Sequence, residues 1–249
     1  KAAIYVPGGK AAYPSTLVMC AVPAIIAGVR EIIVLTPPTE NGSISPYLAA
    51  TAKLLGIDRI FRAGGAQGVA AAAFGTETIP GVDKIVGPGN AYVAAAKSEV
   101  YGYVDIDMIA GPSEIAVVAD SSANACWVAA DILSQAEHDE MAGCFLISDS
   151  KAFIAKVNIE IERQFKLMKR QNIISSALTG NSAAIVVDTI DQSTEIINKI
   201  APEHLEIITE NPFGVLKGIR NAGAVFLGGY SPEPIGDYIA GPNHVLPTY

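Results

Sequence analysis

The sequence predicts an α/β protein in which mostly parallel sheets are flanked by helices, arranged as two domains. Three observations point there. Short apolar runs alternate with longer stretches of helical periodicity along the whole chain. A strand, a glycine turn and a helix follow one another four times within about the first 110 residues. Half of the 249 residues are hydrophobic and only 17% are charged, so a sizeable core is within reach.

Ile4-Tyr5-Val6 runs into Pro7-Gly8-Gly9, a strand into a glycine turn. Residues 15–29 carry apolar side chains at helical spacing, ending at Gly28. Residues 31–35 are a short apolar run closed by Pro37-Pro38, which suits a buried strand. Residues 47–55 read as a helix stopped by Gly56. Residues 59–62 read as a strand, and Gly64-Gly65-Ala66-Gln67 turns into a helix over 68–74. Residues 83–86 supply the next strand, and Gly87-Pro88-Gly89-Asn90 opens a helix over 91–100. Ile106-Asp107-Met108 leads to Gly111-Pro112-Ser113, and the boundary near Pro112 gives domains of 1–112 and 113–249. In the second, 115–119 starts the sheet, and a helix over 123–134 carries Trp127 into a Gln-His stretch. A strand over 143–148 and one long amphipathic helix over 150–170 follow. Then come a strand (183–187), a helix (193–200), and strands over 205–209 and 224–227 with a helix over 213–221 between them.

In such sheets ligands bind outside the carboxyl ends of the strands. Those ends are read as carrying Pro7-Gly8-Gly9, Gly64-Gly65, Gly87-Pro88-Gly89-Asn90 and Gly111-Pro112-Ser113. Glycine there either makes a tight turn or lets a phosphate approach N–H groups at a helix start. Four such turns on one edge favour a site. No GxGxxG follows a strand, so the usual dinucleotide fingerprint is missing.

The formal charge is −8, and no basic cluster exceeds a pair such as Lys169-Arg170, which argues against nucleic acid. No apolar run reaches the roughly 18 residues of a membrane span, and no secretory leader opens the chain. Cys20, Cys126 and Cys144 are odd in number and widely spaced, and read as reduced, buried thiols of a cytoplasmic protein. Both ends look cut: the chain begins on a strand and stops at Pro247-Thr248-Tyr249.

All three histidines lie in short polar stretches: Ser134-Gln135-Ala136-Glu137-His138-Asp139, Ala201-Pro202-Glu203-His204-Leu205, and Gly236-Asp237-Tyr238 through Asn243-His244. Gln135 and His138, three apart, share a face if the helix continues, close enough to hold one metal ion. Asp237 and His244 could add a carboxylate and an imidazole. Alternatively, His138 ends its helix beside Asp139. Glu203-His204 follows a proline with apolar residues on both sides. It suits acid–base work on one cavity or, alternatively, a charged surface loop.

At this point the chain resembles the histidinol dehydrogenase family. The matching stretches are Tyr5-Val6-Pro7-Gly8-Gly9, Gly64-Gly65-Ala66-Gln67, Gly75-Thr76-Glu77-Thr78-Ile79-Pro80 and Val82-Asp83-Lys84-Ile85-Val86-Gly87-Pro88-Gly89-Asn90. They continue with Ile106-Asp107-Met108-Ile109-Ala110-Gly111-Pro112-Ser113-Glu114, Leu133-Ser134-Gln135-Ala136-Glu137-His138, Ala201-Pro202-Glu203-His204-Leu205, and Gly236-Asp237-Tyr238 through Asn243-His244-Val245-Leu246-Pro247-Thr248. They run the whole length in register.

The resemblance implies two incomplete, divergent Rossmann-like domains, which accounts for the absent fingerprint. It implies oxidation of L-histidinol through the aldehyde to L-histidine, the end of histidine biosynthesis, with two NAD used in succession and one zinc per subunit. Gln135, His138 and Asp237 would be zinc ligands, and Glu203 and His204 the acid–base pair. Tyr5, Gln67 and Asn90 would contact NAD. Ser113 and His244, with Gln135, His138, His204 and Asp237, would meet the substrate. The zinc would orient the substrate's imidazole and amine. Family members are longer at both ends and form intertwined homodimers, in which a further zinc-ligand histidine and a substrate-binding glutamate reach the other subunit. The expectation for this chain alone is therefore an open zinc position, weaker metal binding, little or no activity, and self-association through exposed apolar surface. Two other readings stay open: a related dehydrogenase of another alcohol, such as a sulfonated diol, and a non-catalytic nucleotide- or metal-binding remnant.

Overall fold

Continuous apolar runs become central strands, because a strand covered by helices on both faces has no polar side to show. β1 (Ala2–Tyr5) is buried at every position. The computed structural model describes residues 1–8, 13–109 and 111–245, with the side chains of Asp237 and Tyr238 not described. Of the sequence features above, Gly9, Ala110 and residues 246–249 lie outside the described residues.

The chain divides into two compact units. The first spans Lys1–Gly111 and also takes in residues 243–245, which the sequence assigned to the second domain. Asn243 donates its amide to the Met19 carbonyl, and Val245 packs into the same core. After β1 come α1 (Pro14–Ile26), β2 (Ile32–Leu35), α2 (Pro46–Leu54), β3 (Ile60–Phe61), α3 (Gly65–Phe74), β4 (Lys84–Val86), α4 (Ala91–Val100) and β5 (Asp105–Ile106). The sheet is parallel, in the order β3-β2-β1-β4-β5. Ala3, Tyr5, Ile33, Leu35 and Ile85 face α3 and α4, while Ile4, Val6 and Val34 face α1 and α2. The order reverses beside β1, so the crevice opens between the carboxyl ends of β1 and β4.

The second unit spans Pro112–Pro242. It contains β6 (Glu114–Ala119), α5 (Ala125–Ala136), β7 (Gly143–Ser148), α6 (Lys151–Phe165), α7 (Gln171–Gly180), β8 (Ala183–Val186), α8 (Ser193–Ile200), β9 (His204–Ile208), α9 (Pro212–Leu216) and β10 (Ala224–Leu227). A short helical turn (Glu233–Ile235) then runs into a π turn (Gly236–Ala240). The order β10-β9-β6-β7-β8, all parallel, repeats the order of the first sheet. Ile115, Val117 and Ala119 face α5, α6 and α7, and Ala116 and Val118 face α8 and α9.

Two helices differ from the sequence reading. The long helix expected over 150–170 ends at Phe165, and α7 begins at Gln171. The break carries no glycine or proline; Gln171 caps it by donating to the carbonyls of Phe165 and Lys166. The helix expected over 213–221 stops at Leu216. Beyond it, Asn198 accepts from the amides of Arg220 and Asn221 and donates to the Gly218 carbonyl, satisfying that backbone outside a helix. Of the cysteines, Cys20 and Cys144 are buried, with thiols pushed up by burial to about 12 and about 11, whereas Cys126 is half-buried. No helix among the described residues is long and apolar enough to cross a membrane.

Gly87 closes β4 where the two central strands of the first sheet separate. Its φ is +109°, and a Cβ there would lie 2.2 Å from the Tyr5 carbonyl oxygen. Both the backbone angle and the contact exclude a side chain. Gly87→Ala is expected to cost about 3 kcal/mol or more, read as a fall in the urea midpoint with unchanged slope; a midpoint within error of wild type would refute the constraint.

Candidate functional site

The expected cofactor residues all stand at the carboxyl edge of the first sheet. Tyr5 ends β1, is 3% exposed, and accepts a hydrogen bond from the Gly65 amide at 2.9 Å. That bond ties the end of β1 to the start of α3. Gln67 is exposed in the first turn of α3. Asn90 caps α4, its side-chain oxygen accepting from the Val93 amide at 3.1 Å. The cap uses only the oxygen, so the exposed side-chain NH2 remains a donor.

The loop between Gly87 and Asn90 is held from below by a buried ion pair. Lys97 of α4 is 1% exposed; it donates to the Gly87 carbonyl and pairs with Asp107 just after β5. Asp107 in turn accepts from the amides of Gly87 and Met108. The sequence reading gave Asp107 and Lys97 no role, since only the fold brings them together.

In the second unit the expected residues gather at the opposite, amino edge. Ser113 immediately precedes β6, Glu203 immediately precedes β9, and His204 begins β9. Ile115 pairs with His204, so the two strand starts lie side by side, about 5 Å apart. This corrects the grouping of Gly111-Pro112-Ser113 with the carboxyl-edge turns: the segment enters β6 rather than leaving a strand. At the carboxyl edge of this sheet, Asp120 accepts from the Glu210 amide and from Ser122, and Asn124 caps α5. The chain's own carboxylate thus occupies the switch-point crevice between β6 and β9.

Three devices place the Glu-His pair. Ala201 ends α8 with φ +52°, the one non-glycine residue of positive φ among the described residues. Pro202 accepts from the Gly223 amide and Glu203 from the Ala224 amide through their carbonyls, aligning the start of β9 with β10. His204, 7% exposed, has its Nε2 3.9 Å from the Glu233 carboxylate and its ring 6.3 Å from that of Phe226. Glu233 was not among the expected site residues; its signal is a carboxylate four positions before Asp237.

For the metal, Gln135 is buried in the last turn of α5 and His138 is exposed just past its end. The His138 amide donates to the Gln135 carbonyl at 3.1 Å, so the helical spacing persists although the helix has formally ended. Asp237 stands in the π turn; its side chain is outside the described residues. Among the described residues no group of three or more His, Cys, Asp or Glu side chains is placed to hold a metal ion. An amide oxygen and an imidazole one turn apart suit a borderline cation such as zinc, with further ligands from elsewhere. His244 is half-buried and falls in the first unit.

Two doubly wound sheets of one strand order, one with a glycine-rich carboxyl edge and one with a Glu-His pair at its amino edge, define the class: an α/β protein built of two parallel sheets flanked by helices. Comparison with known proteins gives the family. The family model for histidinol dehydrogenase matches residues 1–249, and the chain belongs to that family. It is 58% identical over 248 residues to the histidinol dehydrogenase of Clostridium acetobutylicum, covering 100% of this chain and 58% of that one. It is 59% identical over 245 residues to that of Caldanaerobacter subterraneus subsp. tengcongensis, covering 98% and 57%. The crystal structure of histidinol dehydrogenase from Elizabethkingia anophelis superposes with a TM-score of 0.95 at 45% identity, covering 99% of this chain and 57% of that one. The chain thus spans somewhat more than half the length of the relatives it matches.

Ala201 holds a left-handed conformation that costs an L-residue about 1–2 kcal/mol, part of which glycine would return through greater freedom when unfolded. Ala201→Gly is expected to raise stability by about 0.5–1 kcal/mol; an unchanged or lower denaturation midpoint would show that no strain is held there.

Proposed function

We propose that this chain supplies the cofactor-side and acid–base residues of a zinc-requiring, NAD-dependent histidinol dehydrogenase. It would oxidise L-histidinol through the aldehyde to L-histidine, in the cytoplasm, within a homodimer. The observation that carries the reading is His204: a buried imidazole fixed at a strand start, beside Glu203 and within ion-pair distance of Glu233. An imidazole so held can take the alcohol proton as the carbon gives up hydride, and the neighbouring Glu233 carboxylate stabilises the imidazolium that forms. Glu203 then serves the second oxidation by activating water to attack the aldehyde. Ser113, on the neighbouring strand start, offers a hydroxyl to the same edge.

Zinc, held by Gln135, His138 and Asp237 with ligands from beyond this chain, would anchor the substrate's imidazole and amine. Tyr5, Gln67 and Asn90 would seat NAD at the first sheet's carboxyl edge, where glycine turns open two helices toward it. His244 would add a contact to substrate.

The test uses the full-length polypeptide containing this chain, loaded with zinc. His204→Asn is expected to lower the rate of NAD reduction by L-histidinol at least about 100-fold with little change in substrate binding. Glu203→Gln is expected to leave the first hydride transfer largely intact and to stop the second, so that aldehyde accumulates in a trapping assay. Wild-type rates in His204→Asn, or faster oxidation of a different alcohol, would overturn the reading.

A further inference from the structure

Glu206 is a carboxyl group between apolar neighbours in the middle of β9. It lies two residues beyond His204 on β9, on the face covered by α5, and is 1% exposed. Its strand neighbours in register are Val117 of β6 and Phe226 of β10. One oxygen, Oε1, accepts from the Glu233 amide at 2.8 Å. The other, Oε2, is fully buried, and no N–H or hydroxyl donor reaches it among the described residues. A second carboxyl, that of Asp131 on α5, stands within hydrogen-bonding reach of it.

Two carboxylates cannot face each other in such surroundings without a proton between them. We propose that Asp131 and Glu206 share one proton and act as the positioning pair of the site, pinning α5, β9 and the turn at Glu233 to one another. Each of those elements carries residues of the reading above: Gln135 one helical turn beyond Asp131, His204 two residues before Glu206, and Glu233 with Asp237 on the turn. The link to that chemistry rests on the proposed function; the shared proton does not.

The charged and titratable groups facing Glu206 are Asp131 from α5, Glu233 from the turn, and His204 on its own strand; β6, β10 and α9 present none. Burial first, then the Asp131 charge, pushes the Glu206 carboxyl up to about 9. Burial likewise raises Asp131, and the bond from Glu206 offsets part of that rise. A group raised on folding contributes stability that is complete below its ordinary range and is lost as pH climbs through the raised value. The pin should therefore hold at neutral pH and loosen toward pH 9.

The experiment uses two variants and two readouts, neither of which requires catalysis. Infrared spectroscopy at neutral pH should show the carbonyl stretch of a protonated carboxylic acid in the wild type and its loss in Glu206→Gln. Hydrogen exchange should show the Glu233 amide protected in the wild type and in Glu206→Gln, which keeps the accepting oxygen. In Glu206→Leu that protection should fall at least about tenfold. In the wild type alone it should also fall as pH approaches 9. Absence of the acid band, or its persistence in Glu206→Gln, would overturn the shared proton. Wild-type protection of Glu233 in Glu206→Leu would overturn the pin. If Glu206→Leu does not fold, the band and the pH dependence of Glu206→Gln still decide the question. Failure of L-histidinol as a substrate would leave all these outcomes unchanged, so the two readings fail separately.

Discussion

The pairing of β6 with β9 fixes everything polar in the second unit. From Ile115 opposite His204 to Ala119 opposite Ile208, the ladder sets which residues of β9 face α5 and which face α8 and α9. A slip of one residue would turn His204 and Glu206 into the other core and bring Leu205 and Ile207 against Asp131. The same ladder sets the start of β6, just after Ser113, beside the start of β9, just after Glu203. No loop conformation could supply this placement as firmly as a parallel sheet buried on both sides.

The two sheets share a strand order, but the residues proposed for function stand at opposite ends of them. In the first, glycines keep the carboxyl edge open, and the Lys97–Asp107 pair holds the Gly87 loop. A buried ion pair of this kind returns little net stability once desolvation is counted. Its effect is conformational: Gly87 is gripped at both its amide and its carbonyl. In the second sheet Asp120 fills the corresponding crevice, and the residues of the proposed chemistry stand at the amino edge. Under the proposed function, the rule about where doubly wound sheets bind ligands would hold for one unit and not for its counterpart.

Much of this architecture is legible in the sequence, and the reason is local. Strands closed by glycine or proline, such as Lys84–Val86 before Gly87-Pro88-Gly89, announce themselves. What escaped was set by partners distant in the chain. The gap between α6 and α7 is capped by Gln171, and Asn198 ends the backbone beyond α9; neither residue signals this from its own neighbourhood. Glu203, His204 and the Gln135-His138 spacing stood out because polar residues are scarce here. Their proposed chemistry came from resemblance, since spacing alone favoured a capping role for His138 and left a surface charge pair open for Glu203-His204. Asp131 and Glu206 were passed over, although a lone glutamate in His-Leu-Glu-Ile-Ile, on the strand's buried face, was a readable mark.

The register of β6 on β9 also has a kinetic side. β7 reaches β6 across a connection of ordinary length, but β9 lies roughly ninety residues further along the chain. β1 and β4 are separated almost as widely. In each unit the innermost pairing is therefore among the slowest to close, because the entropy of a long loop must be overcome before its contacts form. Until then one side of β6, an almost wholly apolar strand, has bare backbone to offer. A nascent chain passes through an interval in which its most buried strand is its most adhesive one. The edge that gathers Ser113, Glu203 and His204 comes into being only when that interval ends.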